Sequence, residues 1–297
     1  MIKLNKEKYI DKLHACWIGK NIGGTLGAPF EGKRDYLDIK GFTSPKGEPL
    51  PNDDLDLQLV WLAALEEVGA KNFSINTLAE YWLDWIPPHW NEYGICKTNL
   101  RLGLLPPASG ELDNERWKDS NGAWIRSEIW AGLSPAVVDT AIKYACMDGM
   151  VDHGIAEGTC AEIFTTAMQS AAYAISDINE LVEIGLSKIP ADSRVAITIR
   201  KVIEMYHNGV TCREARETVV EMNSDMGWFQ APGNLGFVII GLLYGEGDFK
   251  KSVLCAVNCG DDTDCTAGTV AATLGIIGGT ESIPEECRCS GRSIPTF

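Results

Sequence analysis

Positive charge is in short supply in this chain. It holds 26 Lys and Arg against 41 Asp and Glu, a net charge of −15 over 297 residues. A surface of that sign repels a phosphate backbone, which excludes nucleic-acid binding through a broad basic face. Long apolar runs are also missing. The longest, around Leu235–Tyr244 and Val270–Ile277, are too short to span a bilayer, so no membrane partner is expected. The opening Met-Ile-Lys-Leu-Asn-Lys-Glu-Lys brings charge before any apolar core and does not read as a secretory signal. There are ten cysteines, but the spacings 255/259/265 and 287/289 lack a paired Cys-x-x-Cys pattern for zinc. Such thiols without a signal peptide point to a reducing, cytoplasmic setting. The nucleophile turn Gly-x-Ser-x-Gly and a phosphate-cradling Gly-Lys-Ser/Thr loop are both absent.

What the chain does have is helical periodicity. Leu55, Leu59, Leu62, Leu65 and Val68 recur at spacings of three and four, and Tyr9, Leu13, Trp17 and Ile18 share a face within 6–28. Residues 74–86, 136–150, 156–177, 193–207, 211–222, 234–244, 249–258 and 264–277 read similarly. Turn signals such as Pro87-Pro88, Pro106-Pro107, Asn208-Gly209 and Pro232-Gly233 separate them. The pattern predicts an all-α fold of ten or more helices, a single compact domain over 1–297 with its core at about 6–280. Residues 87–124 hold four prolines with Trp90, Trp117 and Trp124, and are expected to form a long ordered loop. Gly19, Gly23 and Gly27 fall on one helix face. That predicts close packing against another helix, with direct ligand contact as the alternative. Pro29 stops this helix and leaves Glu31 just past its end.

One internal echo carries chemistry. Asp53-Asp54-Leu55-Asp56 and Asp261-Asp262-Thr263-Asp264 share the pattern Asp-Asp-x-Asp, and each opens an apolar helix after a turn signal. Capping accounts for one Asp, or two, at a helix start. Three in four residues, twice, would repel one another unless something positive sits among them. Hard cations take oxygen ligands, so two converging clusters suit one or two divalent ions, with capping plus solvated surface as the alternative. Other metal motifs fail. An EF-hand starting at Asp262 needs Glu where Thr273 stands, and four histidines are too few for a histidine-aspartate phosphohydrolase. The isoprenoid-synthase pattern needs Asp where Leu57 and Cys265 stand.

Taken together these residues resemble the ADP-ribosylglycohydrolase family. Gly-Ala-Pro-Phe-Glu, ending at Glu31, is similar to the family's opening motif, and Asn52-Asp53-Asp54 to its Thr-Asp-Asp metal motif. Ser120-Asn121-Gly122-Ala123-Trp124-Ile125-Arg126 resembles its central Gly-Asn-Gly stretch, and Asp152-His153-Gly154 its Thr-His region. Gly260-Asp261-Asp262-Thr263-Asp264 is similar to its Gly-Gly-Asp-Thr-Asp motif. The five matches come in the family's order over about residues 13–280.

The resemblance implies a binuclear magnesium site, with Mn²⁺ as the alternative, held by Asp53, Asp54, Asp262 and Asp264. Asn52, in the place of the family's Thr, would add an amide oxygen. Cys265 replaces a hydroxyl residue, and a thiol is a poor ligand for magnesium, so one ion position is weakened, altered or lost. The implied reaction is metal-dependent hydrolysis of a glycosidic bond in an ADP-ribosylated protein, a small ADP-ribose derivative or a related riboside. Glu31 is the first candidate for the acid that takes a proton from water, and Glu92 the second. Asn121 and Gly122 would offer backbone N–H groups to phosphate. Arg126 or Arg101 would offer charge, or form surface ion pairs instead. His153 would bond phosphate or ribose, or serve the structure. Trp90, Tyr93, Trp124 and Trp130 are candidates for an adenine platform or for core. The alternative function is a catalytically silent, ADP-ribose-binding or structural member of the fold.

Overall fold

The computed structural model describes residues 4–43 and 50–287, with the side chain of residue 286 left aside. Cys289 lies outside the described residues. These residues form fourteen α-helices. The first seven are α1 (Lys6–Gly27), α2 (Asp53–Val68), α3 (Ile75–Trp85), α4 (Asn91–Arg101), α5 (Ala108–Glu111), α6 (Glu128–Leu133) and α7 (Val138–Asp152). The rest are α8 (Glu157–Ala172), α9 (Ile178–Leu186), α10 (Arg194–His207), α11 (Cys212–Met222), α12 (Ala231–Tyr244), α13 (Phe249–Asn258) and α14 (Thr263–Gly278). No strand forms among the described residues; Ser120 and Gln230 make one isolated antiparallel bridge. The fold is all-α, as the periodicity predicts. No described helix is long and apolar enough to cross a membrane.

Helix starts follow local chemistry. Asn52, Ser74, Asp177, Ser193 and Asp248 each accept a backbone N–H from the first turn of the helix that follows. Thr211 and Glu214 form a reciprocal capping box on α11. Two expectations need correction. Residues 87–124 are not one loop, because they contain α4 and α5. The buried face of α4 carries Lys97 and Asn99 beside Tyr93 and Cys96, so it shows no apolar stripe. Lys97 Nζ instead donates to the carbonyl of Ile86 at 2.7 Å. The helix expected over 156–177 ends at Ala172, and a second one, α9, begins after the Asp177 cap.

The core has two apolar clusters. The larger joins α1, α8 and α9–α14; the smaller, rich in aromatics, gathers Trp61, Trp82, Tyr93 and Trp130 from α2, α3, α4 and α6 with part of α7. Helix α14 is buried from Thr263 to Ile276. Its partner is α1, and the glycine face explains the closeness. A Cβ on Gly19, Gly23 or Gly27 would fall 2.2–2.3 Å from the carbonyl oxygens of Ala271, Ala267 and Thr263. The glycine face therefore serves packing. It lays the end of α1, and so Glu31, beside the start of α14.

Candidate metal centre

The two acidic helix starts meet in space. Asp53 and Asp54 occupy the first turn of α2, whose cap is Asn52: its Oδ1 accepts the Asp54 N–H at 3.0 Å. Capping at α2 is thus done by an amide, which leaves both aspartates over. Asp262 stands at the cap position of α14 but makes no capping hydrogen bond. Its Oδ2 accepts from Asn121 Nδ2 at 2.6 Å, and its Oδ1 is buried without a partner. Asp264 Oδ1 is also buried and unpartnered.

Asp261 belongs to the scaffold. It has φ +67°, and its carboxylate accepts from Phe229 N at 2.8 Å and Asn234 Nδ2 at 3.3 Å. Its own N–H donates to Lys33 O at 2.7 Å, while Gly32 N donates to Asp261 O at 2.9 Å. This lacing holds the Glu31–Lys33 segment against the Gly260–Asp264 turn. Gly260 has φ +76°, and a Cβ there would strike the carbonyls of Lys33 and Asp35 at 2.5 Å.

Two triangles of ligand atoms result. Glu31, Asp262 and Asp264 each offer one atom within 4.8 Å of the others, and so do Asp54, Asp264 and Cys265. Asp264 is common to both. Two cations sharing one carboxylate would fit this layout. The unpartnered buried oxygens of Asp262 and Asp264 fit a hard cation by their chemistry, since a buried carboxylate oxygen without a donor is costly.

The second triangle differs from the first. Lys20 Nζ lies 3.0 Å from Asp54 Oδ2 and 3.2 Å from Glu128 Oε1, all three side chains being fully buried. Burial works against the Lys20 charge, but Asp54 and Glu128 outweigh it and hold the ammonium above its usual range. Cys265 Sγ lies 3.4 Å from Asp54 Oδ1. Burial, then Asp262, Asp264 and Asp54, push this thiol well above its usual range, so it stays protonated and a poor ligand for magnesium.

The carboxylates carry the mark of crowding. Burial pushes Asp54 up to about 8; Lys20 opposes the shift, and Asp264 and Asp53 add to it. Burial, with Asp264 and Asp53, raises Glu31 to about 7. Asp53 is raised by burial and Asp264, and Asp262 well above its usual range by burial and Asp264. One ammonium is not enough for this many acids.

The other sequence candidates fall in several places. Asn121 touches the cluster with its side chain, but its backbone N–H is taken by Phe229 O at 3.2 Å. Gly122 makes room for Glu92, whose Oε1 would lie 2.2 Å from a Cβ there. Glu92 is buried, its Oε2 has no partner, and it belongs to neither triangle. Burial raises Glu92 to about 7, against the pull of His153. Gly122, beside which it lies, follows Asn121, whose side chain touches the acidic cluster.

His153 is fully buried, with Nε2 3.0 Å from Ser120 Oγ and Nδ1 3.0 Å from Asp152 Oδ1. It serves the structure as placed. Arg126 needs correction, because it is neither at the surface nor open to a phosphate. Fully buried, it donates to Asp148, to Asp152 at 2.7 Å and to the Gly122 carbonyl. Asn52 also departs from expectation, since its amide oxygen faces α2 as a cap. Its Nδ2 points at Gly24.

Arg101 is exposed in a cavity with His89 and Lys97. Trp124, Trp130 and Tyr93 are core, and of the four aromatic candidates only Trp90 is exposed. Sequence reasoning missed Trp228. It is exposed, and its Cζ3 would lie 3.9 Å from a Cβ on Gly32, next to Glu31. The signal was an aromatic pair, Trp228-Phe229, in a turn just before a Pro-started helix. It missed Lys20 as well, because a lysine inside a glycine-rich helix gives no sign of being buried.

A solved structure described as "ADP-ribosylglycohydrolase-related protein complex" superposes with a TM-score of 0.68 at 20% identity, covering 95% of this chain and 92% of that one. That likeness establishes the fold. No curated protein matches. The family model described as ADP-ribosylglycohydrolase matches residues 5–292. With nearly the whole chain inside that match and its acidic motifs gathered at one point, this chain belongs to the ADP-ribosylglycohydrolase family, a family of hydrolases.

Proposed function

We propose that this chain is a divalent-cation-dependent hydrolase of the bond between the ribose anomeric carbon of an ADP-ribosyl group and its acceptor. The observation that carries the reading is the pair of buried, unpartnered oxygens, Asp262 Oδ1 and Asp264 Oδ1, in a triangle closed by the exposed Glu31. Asp53, Asp54, Asp262 and Asp264 would hold magnesium or manganese, with the stronger position at Glu31, Asp262 and Asp264. A divalent ion bound there would orient the ribose hydroxyls and polarise the attacking water.

The chain's own residues supply the rest. Glu31 is the solvent-facing member of the triangle; one of its oxygens would face the cation, and the other takes the proton of the attacking water. Asn121 fixes the Asp262 carboxylate through its side-chain amide. Glu92, buried behind Gly122, is a positioning residue that keeps the 120–122 turn in place. Trp228 offers an exposed aromatic face beside Glu31 on which an adenine ring would stack. Substrate is either an ADP-ribosylated protein or a small ADP-ribose derivative.

The test is release of ADP-ribose from an ADP-ribosylated peptide, with and without added Mg²⁺ or Mn²⁺. Cation-dependent release that is lost in Asp262→Asn is the expected result. A second reading, a silent ADP-ribose binder, is favoured by one feature: Lys20 and Cys265 already flank Asp54. Binding of ADP-ribose without any release under either metal would establish that reading in place of the first.

A further inference from the structure

Cys212 and Cys255 lie far along the chain from each other and face one another across α11 and α13. Their Sγ atoms are 2.9 Å apart, against about 2.05 Å in a disulfide bond. Cys212 is the first residue of α11, where unpaired backbone N–H groups and the helix dipole favour a thiolate. A surface cavity bounded by Tyr36, Tyr244 and Lys251 opens onto both sulfurs. Cys16 and Cys96, by contrast, are wholly buried in the core. The neighbouring Cys255, Cys259 and Tyr36 hold the Cys212 thiol below its usual range, although burial opposes them.

We propose that Cys212 and Cys255 are a reversible dithiol–disulfide site, with Cys212 the attacking sulfur and Cys255 the resolving one, oxidised by a low-molecular-weight disulfide. The Cys212 thiolate attacks one sulfur of the small disulfide, whose S–S bond breaks and releases one thiolate. Cys255 then attacks Cys212 Sγ, loses its proton and expels the second small thiolate. Two protein thiols are oxidised by two electrons, and the small disulfide is reduced to two thiols, one of which carries the Cys255 proton. The bond would staple the first turn of α11 to α13, the helix that leads into the Gly260–Asp264 turn. Helix α11 already touches that region, for Arg216 Nε donates to Cys259 O at 2.9 Å.

The experiment equilibrates the whole, folded chain in glutathione buffers of stepped redox ratio, quenches by alkylation and maps the peptides by mass spectrometry. A peptide pair joining Cys212 to Cys255, reversed by excess dithiothreitol, is expected. Cys255→Ser should instead trap glutathione on Cys212, and Cys212→Ser should trap none on Cys255. Cys259→Ser should still give the 212–255 link. Absence of that link in fully oxidised glutathione, with the fold intact by circular dichroism, overturns the proposal. So does loss of the link in Cys259→Ser with its circular dichroism unchanged, or glutathione carried by Cys255 in Cys212→Ser.

Discussion

Around Arg126, the carboxylates of Asp148 and Asp152 are buried and bonded to a guanidinium that belongs to the same chain. Glu162 joins them through Trp130 Nε1 at 3.1 Å, and its pKa is pushed well above the usual range by burial and by Asp148. Around Asp264, the carboxylates of Glu31, Asp53, Asp54 and Asp262 have, among the described residues, only the Lys20 ammonium in contact, and Lys20 also serves Glu128. The first group carries its own counter-charge in Arg126, which bonds two of its three acids, although Glu162 Oε2 is buried without a partner and Asp148 is raised by burial. Asp152 is held down at about 2, for Arg126 and His153 outweigh the burial. The second group sets one described cation against five carboxylates and leaves Asp262 Oδ1 and Asp264 Oδ1 unpartnered. Acid-rich sequence alone does not separate a structural cluster from a binding one; the balance of cation to carboxylate does.

The largest expected effect falls on the Asp264 cluster. Asp262→Asn should lower cation-dependent turnover by about 10³-fold or more, the several kcal/mol that a bound metal contributes. Asp53→Asn should act in the same direction. Circular dichroism should be unchanged, and calorimetry should show loss of Mn²⁺ binding. Retained turnover in both variants would remove the metal reading.

The Arg126 cluster should respond through stability. Arg126→Met strips buried carboxylates of their partner and should cost about 3–5 kcal/mol in denaturant unfolding, whether or not metal is present. Lys20→Met should also destabilise, but Mn²⁺ should restore part of the loss, because an added cation can take over the charge. Equal rescue of both variants would erase the distinction between the clusters.

A pH series separates them further. Glu31 and Asp54 titrate near 7 and 8 in the folded chain and near 4 when unfolded, so the folded state holds extra protons in between. Their contribution to metal-free stability should therefore be full below about pH 4 and be lost as pH rises through 7 to 8. Asp152 runs the other way, with a contribution present above about 4 and lost as pH falls through about 2. Melting temperature against pH, with and without Mg²⁺, reads both. The ion should flatten the upper slope alone, since it competes with protons for the same oxygens.

Smaller effects refine the Asp264 cluster. Trp228→Ala should weaken ADP-ribose binding by about 1–3 kcal/mol, the worth of one stacked base, and leave Mn²⁺ binding untouched. Cys265→Ser should tighten Mg²⁺ binding modestly, by about tenfold, as a hydroxyl replaces the thiol beside Asp54.

Much of this was legible in the sequence, for identifiable reasons. Three aspartates in four residues, twice, exceed what capping needs, and the pattern names Asp54, Asp262 and Asp264 before any fold is known. The glycine face of α1 announces a close neighbour, although not that the neighbour is α14. What was hidden depends on partners distant in sequence. Arg126 reads as a phosphate partner until Asp148 and Asp152 are seen around it. Lys97 and Asn99 break the stripe of α4 because their polar atoms reach carbonyls elsewhere, which periodicity cannot register. Asn52 reads as a ligand by its place in the motif, while its oxygen is committed to the N–H two residues on.

The seam between α1 and α14 has a consequence for tolerance. Where Gly27 meets Thr263 and Asp264, backbone abuts backbone, and Thr263 Oγ1 ties the two helices by a 2.8 Å bond to Gly27 O. The separation of Glu31 from Asp264 is therefore gauged by an empty position, with no side chain able to adjust it. A lone methyl at Gly27, touching neither ion nor sugar, would prise the acids apart as surely as removing one of them.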